Sequence, residues 1–110
     1  MKISTKRSGG ELFVFLSGEL DHHATRSAIP EISSLIDSEL PLKLILDFEK
    51  VTFMDSSGIA LVIGAYKRSK STGSDFCVIN TTKQAYKVFN AAGICKLMNI
   101  FEQSQTYEKI

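Results

Sequence analysis

The chain has 110 residues, 44% of them hydrophobic, and its 13 lysines and arginines nearly balance 12 aspartates and glutamates. This length fits one domain with a single core. The near-zero net charge argues against disorder and against direct nucleic-acid binding. No apolar run of about 18 residues could span a membrane and the first residues are no signal peptide, so we expect a cytoplasmic protein with Cys77 and Cys95 as reduced thiols.

The first third of the sequence predicts two strands followed by a helix. Residues 2–6 and 11–17 flank the turn signal Ser8-Gly9-Gly10, and the first strand is expected at a sheet edge. An edge strand and the small size of the chain permit a monomer or a weak dimer. The helix is predicted from an apolar stripe at helical spacing, formed by Ala24, Ala28, Ile32, Leu35 and Ile36.

Two residues bear on where this helix begins. Asp21 is a candidate N-cap, because its side chain can accept a hydrogen bond from an unpaired N–H of the first turn. Pro30 would remove one helical hydrogen bond and clash with the preceding turn, at a cost of about 3 kcal/mol in a helix interior. We therefore expect either a kink near residues 26–30 or a helix that begins near residue 29.

The rest of the sequence alternates strands and helices, which predicts parallel strands in the core of the sheet. The N-terminal hairpin would add antiparallel strands without crossover helices. The expected fold class is α/β, a single domain over 1–110 with a mixed four- to five-stranded sheet and helices packed mainly on one face. Strands are predicted over 42–48, 75–79 and 97–101, and a helix from about 59 to Thr72-Gly73. A further helix is predicted with Thr81 or Thr82 as its cap and Gly93 at its end, and its inward residues would be Ala85, Val88, Phe89 and Ala92. The last residues are expected to form a helical turn or to fray.

Met54-Asp55-Ser56-Ser57-Gly58 lies at the hinge between the central strand and the apolar helix that follows it. Backbone N–H groups are unpaired at a helix N-terminus, and the helix dipole is positive there. A serine in this place can cap the helix, lie beside a bound anion or carry a covalent phosphate. Residue types alone favour a cap for Ser56.

Two other functions are consistent with some of these residues. A serine hydrolase would use Ser56 as nucleophile and His22 or His23 as base, but Met54 stands where Gly-x-Ser-x-Gly requires glycine. A small nucleotide- or anion-binding domain would use the same helix N-terminus, but the sequence has no Gly-rich phosphate loop. No third ligand lies close to the two histidines in sequence, so no metal site is expected.

Gly18-Glu19-Leu20-Asp21-His22-His23, together with the motif at residues 54–58, resembles the STAS domain of bacterial anti-sigma factor antagonists, especially the sporulation type that opposes the anti-sigma F factor. The similarity runs along essentially the whole chain. It implies that Ser56 is phosphorylated by an anti-sigma factor that is itself an ATP-dependent serine kinase. The unmodified chain would bind that kinase, with its adenine nucleotide, and release the sigma factor.

The resemblance further implies that the phosphorylated chain does not bind until a serine phosphatase resets it, that the chain is not an enzyme, and that it needs no cofactor. A general stress-response antagonist is the alternative within the family. Asp21 could act both as cap and as contact, Asp55 would set the hinge and local charge, and Ser57 would support the first turn. Gly58 would let a partner backbone approach, or would suit a crowded crossing within the chain. The partner-binding residues expected from the resemblance are Asp21, His22, His23, Asp55, Ser57 and Gly58.

Overall fold

The structure is a computed structural model, and it describes residues 1–103 of the chain. The types and order of the elements agree with the prediction, and the helical turn or fraying expected of the last residues lies outside the described residues. None of the helices in this part of the chain has the length and apolar character needed to cross a membrane. In chain order the elements are β1 Lys2–Ser8, β2 Glu11–Leu20, α1 His22–Glu39, β3 Lys43–Met54, α2 Ser57–Ser71, β4 Asp75–Thr81, α3 Lys83–Ala91, a 3-10 turn at Ile94–Lys96, and β5 Asn99–Glu102.

The strands form one five-stranded sheet in the order β1-β2-β3-β4-β5. β1 pairs antiparallel with β2 and lies at an edge, as predicted, and the other neighbouring strands pair in parallel. The expectation that the first strands lack a crossover helix is wrong. β2 is followed by α1 and then by β3, which lies parallel beside β2, so α1 is itself a crossover helix.

β2 and β3 are both longer than predicted, and they remain paired to their ends, where Leu20 lies opposite Met54. The second half of β3 escaped prediction because four of its last six residues are exposed, which breaks the apolar run. β4 pairs with β3 only as far as Asp47, opposite Ile79. Among the described residues, the last part of β3 therefore has a strand on its β2 side alone.

The helices cover one face of the sheet, as predicted. The main hydrophobic cluster takes buried residues from all three α-helices and from strands β2 to β5. The opposite face has only a small cluster of Ile45, Cys77 and Ile79, flanked by Phe13 and Phe101. Because each fully buried large apolar side chain contributes roughly 1.5–3 kcal/mol, most of the stabilisation lies on the helical face. In this part of the chain Cys77 is buried, Cys95 is half-buried, and neither forms a disulfide.

α1 runs without interruption from His22 to Glu39 and has Pro30 inside it, so the expected start near residue 29 is wrong. Pro30 is exposed, and its ring therefore lies on the solvent side of the helix. Burial of the opposite face, before and after Pro30, contributes several kcal/mol and outweighs the local cost of proline. Leu35 is only half-buried, and the residues of the buried stripe are Ala24, Thr25, Ala28, Ile32 and Ile36.

The C-terminal ends of α1 and α2 are joined by an ion pair. The Arg68 Nε donates to Asp37 Oδ1 at 2.7 Å, and a second bond joins the guanidinium to the other carboxylate oxygen. This hydrogen-bonded contact lowers the pKa of Asp37 and raises that of Arg68. Both side chains are exposed, so the pair orients the helices more than it stabilises them. The basic end of α2 thus has a partner within the domain.

Replacing Pro30 with alanine should raise the free energy of unfolding by about 1–3 kcal/mol, because alanine restores the N–H donor and removes the ring from the helix interior. Ser34→Ala is the control, since Ser34 is also exposed on α1, and it should change stability by no more than about 0.5 kcal/mol. Urea unfolding monitored by circular dichroism measures both variants. A Pro30→Ala protein no more stable than the control would contradict the prediction.

Candidate functional site

The carboxyl ends of β2 and β3 bring the two sequence motifs together. Leu20 and Met54 are register partners at these ends, and both side chains are completely buried. The backbone N–H of Asp55 donates to the carbonyl of Leu20 at 3.4 Å. Asp21 and Asp55, which directly follow the two buried residues, therefore lie side by side at one edge of the sheet. α1 and α2 both begin at this edge.

α1 begins with the cap that the sequence predicted. The Asp21 backbone is extended, and its Oδ1 accepts a hydrogen bond from the backbone N–H of Ala24 at 2.9 Å. His22 and His23 form the exposed start of the helix. Because consecutive helical residues point about 100° apart, the two imidazoles do not share one direction. The structure therefore brings Asp21 to the motif of β3 and α2 and presents both histidines to solvent.

α2 is capped by Asp55, and not by Ser56. Asp55 Oδ1 accepts from the backbone N–H of Ser57 at 2.8 Å. Ser56 itself has helical backbone angles, φ −63° and ψ −16°, and its side chain makes no capping hydrogen bond. The interpretation of Ser56 as the helix cap is therefore wrong. Ser56 is exposed, and its hydroxyl group has no structural role in starting the helix.

The first turn of α2 satisfies its own backbone donors. The N–H of Gly58 donates to the Asp55 carbonyl at 3.1 Å, and the N–H of Ile59 donates to the Ser56 carbonyl at 3.1 Å. The N–H of Ser57 already bonds to the Asp55 carboxylate. An anion at this helix end would have to compete with these three acceptors. The turn is therefore poorly suited to hold a free anion or a nucleotide phosphate.

Gly58 is buried where α2 passes over the ends of β2 and β3. A Cβ at this position would lie 2.5 Å from both the Cγ and the Sδ of Met54 and 3.2 Å from Leu20 Cδ2. Met54 is completely buried, so any shift of its side chain has to be accommodated by close-packed neighbours. The requirement for glycine thus arises within the chain, which supports the crowded-crossing interpretation of Gly58.

Gly18, the glycine of the first motif, is required for a different reason, its backbone conformation. β2 has register irregularities on both sides of Gly18, between Phe15 and Ser17 and between Gly18 and Glu19. Gly18 has φ 111°, a conformation that side chains with a Cβ rarely adopt. Bulges of this kind redirect a strand and are common beside functional sites. At each irregularity the extra residue lies in β3, so the bulges redirect that strand just before Met54 comes level with Leu20.

Gln84 contacts this site, and the sequence analysis missed it. Its Oε1 accepts from the backbone N–H of Met54 at 3.0 Å, and its Nε2 donates to the Met54 carbonyl at 2.7 Å. Gln84 lies in the first turn of α3, which the Thr82 side chain caps through the N–H of Ala85 at 3.1 Å. Nothing local in the sequence indicates this contact, because the two partners are 30 residues apart.

The positions of Ser56 and the two histidines can be compared with what a serine hydrolase and a metal site require. Within residues 1–103 the structure records no hydrogen bond between the Ser56 hydroxyl and His22 or His23, which a nucleophile and its base require. In the same part of the chain, no three or more histidine, cysteine, aspartate or glutamate side chains are grouped so that they could hold a metal ion. What remains at the site is the exposed hydroxyl of Ser56, next in sequence to Asp55, whose carboxylate makes the capping bond.

A family model described as the STAS domain matches residues 2–107, and the chain belongs to this family. An anti-sigma F factor antagonist from Paenibacillus polymyxa is 28% identical over 102 residues, which cover 93% of this chain and 87% of the relative. A second one, from Lysinibacillus sphaericus, is 30% identical over 95 residues, which cover 86% of this chain and 81% of the relative.

Among solved structures, the anti-sigma factor antagonist SpoIIAA in its unphosphorylated form matches with a TM-score of 0.76 and 29% identity, over 90% of this chain and 87% of that one. These similarities confirm the STAS fold and the resemblance carried by the two motifs.

Gly58→Ala should lower the free energy of unfolding by about 1–3 kcal/mol, because the new methyl group overlaps Met54 in a filled interior. Gly64→Ala is the control on the same helix. A Cβ at Gly64 meets nothing within 4 Å, so that variant should gain about 0.5–1 kcal/mol from helix propensity. Chemical unfolding of the two variants tests the difference, and equal stabilisation of both would contradict the crowding at Gly58.

Proposed function

We propose that this chain is an anti-sigma factor antagonist that is switched by phosphorylation of Ser56. The unmodified chain binds an anti-sigma serine kinase with its adenine nucleotide and releases the sigma factor, and the phosphorylated chain does not bind. One observation carries the proposal: Ser56 is exposed and its hydroxyl is spared from helix capping because Asp55 makes the cap. The similarity to anti-sigma F factor antagonists supports the proposed class.

In this proposal the chain is the substrate and the ligand of the kinase, and it acts in the cytoplasm. The Ser56 oxygen forms a bond to the γ-phosphorus of ATP, the bond from that phosphorus to the ADP oxygen breaks, and the hydroxyl proton passes to a base on the kinase. The kinase supplies the catalytic groups. A serine phosphatase later hydrolyses the phosphate ester and restores the hydroxyl.

The added phosphate should leave the fold unchanged. It contributes about −1.5 to −2 charges. At the N-terminus of α2 the helix dipole stabilises this charge by roughly 0.3–1 kcal/mol, and the neighbouring Asp55 carboxylate opposes it by a similar amount when both are solvated. These local effects nearly cancel. Because Ser56 is exposed, the phosphate also displaces no core side chain.

The switch must therefore act in the interface with the kinase. Changing a complex from mostly bound to mostly free requires about 5.5 kcal/mol of differential affinity. The opposing local effects on the free chain are too small to supply this amount. Burial of a phosphate dianion against a surface that offers no counter-charge can supply it, through desolvation and repulsion.

The surface around Ser56 indicates what such a partner would contact. Asp21 and Asp55 provide carboxylates at the same edge of the sheet, and His22 and His23 are exposed beside them. Phe53 adds an apolar contact, with 44% of its surface exposed two residues before Asp55. We propose that these residues, together with Ser57, meet the kinase. Gly58 contributes by keeping α2 close to the strands.

Ser56→Ala should take up no phosphoryl group when incubated with the anti-sigma kinase of its host and Mg-ATP, whereas the wild-type chain should take up one. Ser57→Ala is the matched control, because it removes the neighbouring hydroxyl and retains the Asp55 cap to the backbone at residue 57. It should be phosphorylated like the wild type. Intact-mass spectrometry reads out all three proteins. One phosphoryl group on Ser56→Ala, or none on Ser57→Ala, would show that Ser56 is not the phosphate acceptor.

Asp21 should have two separable roles, as a helix cap and as a charged contact. Asp21→Asn retains a capping oxygen, so its stability should stay near wild type while kinase binding weakens by about 1–3 kcal/mol. Asp21→Ala should lose a similar amount of binding and also about 1 kcal/mol of stability. Calorimetric titration with the kinase and chemical unfolding measure the two quantities. If Asp21→Asn binds as tightly as wild type, Asp21 is a cap and not a charged contact.

A further inference from the structure

We propose that Gln84 is a positioning residue for the acceptor loop, defined as residues 55–57. Its amide fixes the backbone of Met54 and thereby the direction in which the loop presents the Ser56 hydroxyl. The inference rests on the proposed function of Ser56, since it concerns how that serine is presented to a kinase. It extends that function to α3, an element that carries neither motif.

β3 loses one of its two neighbouring strands before it ends. β4 pairs with β3 only to Asp47, and the last residues of β3 continue without it. At Met54 the Gln84 amide makes the two hydrogen bonds that a neighbouring strand would otherwise make, as acceptor from the N–H at 3.0 Å and as donor to the carbonyl at 2.7 Å. A primary amide has the donor and acceptor of a peptide group, so it can replace one rung of a sheet.

At the start of the acceptor loop, the hydrogen bonds between Gln84 and Met54 are shorter than the one between Asp55 and Leu20. On the β2 side, the Asp55 N–H reaches the Leu20 carbonyl only at 3.4 Å, near the limit for a hydrogen bond. On the α3 side, both bonds of Gln84 have ordinary lengths. A rotation of the peptide groups around Met54 would tilt Asp55, whose carboxylate caps α2 and whose carbonyl accepts from Gly58. Gln84 therefore opposes a motion that would redirect Ser56.

The solvent exposure of Gln84 determines how strongly loss of its amide should affect opening of the acceptor loop. Gln84 is an exposed residue, and water can partly replace its bonds once the side chain is removed. Two neutral hydrogen bonds in such a place correspond to about a tenfold change in a local opening equilibrium. Loss of the amide should consequently loosen the loop without unfolding the domain, because the main hydrophobic cluster draws on three helices and four strands.

Gln84→Ala tests the inference, with Gln103→Ala as the matched control. Gln103 is also an exposed glutamine, and its Nε2 donates to the Glu49 carbonyl of the same strand at 3.3 Å, five residues before Met54. Amide hydrogen exchange is measured at Ser57 and Gly58, whose N–H groups donate to Asp55 and not to Gln84. Exchange at Leu46 in the core serves as the measure of global stability.

In Gln84→Ala, exchange at Ser57 and Gly58 should be about tenfold faster, while Leu46 stays near wild type. In Gln103→Ala, all three amides should stay near wild type. Equal acceleration of Leu46 and the loop amides in Gln84→Ala would reduce Gln84 to a general stability contribution and overturn the inference. Unchanged exchange at Ser57 and Gly58 would overturn it as well.

Phosphorylation kinetics supply the functional readout. With the anti-sigma kinase and Mg-ATP, Gln84→Ala should lose about tenfold in kcat with little change in KM, because the complex forms but Ser56 is poorly aligned. A change in KM alone would identify Gln84 as a direct contact of the kinase and would overturn positioning. If the wild-type chain is not phosphorylated by an active kinase, the proposed function fails. The exchange rates would still decide whether Gln84 holds the loop.

Discussion

The pairing of Leu20 with Met54 is the contact on which the site depends. Both residues end a parallel strand, and both are completely buried, so a shift of register would expose one of them or bury a neighbouring carboxylate. This register places Asp21 beside Asp55 although they are 34 positions apart in the numbering. The two helix starts, the two capping carboxylates and the exposed hydroxyl of Ser56 all follow from it.

The division of roles between Asp55 and Ser56 gives the site its chemical character. A serine that caps a helix would break a structural hydrogen bond when modified, at a cost of about 1 kcal/mol. Asp55 makes that bond through Oδ1, so modification of Ser56 would leave the start of α2 as it is. The arrangement separates the group that maintains the structure from the group that the proposed phosphorylation would modify, and it places them next to each other.

Sequence patterns predicted the order of strands and helices and the Asp21 cap, because these depend on residues close together in the chain. They failed where packing, the local backbone conformation or a contact between distant elements decides the outcome. Pro30 lies inside α1 because burial along the opposite face outweighs its local cost, and Ser56 does not cap α2 because its own backbone is helical and the N–H groups of Gly58 and Ile59 already donate to backbone carbonyls. Ala92 was expected to face inward, but it is exposed, since α3 ends at Ala91 and the chain turns there. Gln84 gave no signal, since its bonds to Met54 join two different elements.

The site is restrained from three sides, and this bears on how a charge added at Ser56 would act. On the β2 side, the N–H of Asp55 donates to the Leu20 carbonyl. On the α3 side, the Gln84 amide binds the backbone of Met54, and Gly58 packs against the buried Met54 side chain. The acceptor loop thus has little freedom to move inward and relieve repulsion between a phosphate and the Asp55 carboxylate. Ser56 itself faces solvent, where water stabilises the charge at almost no structural cost. Under the proposed phosphorylation, the free-energy change would be deferred until a partner removed that water, and a local modification would become a difference in affinity.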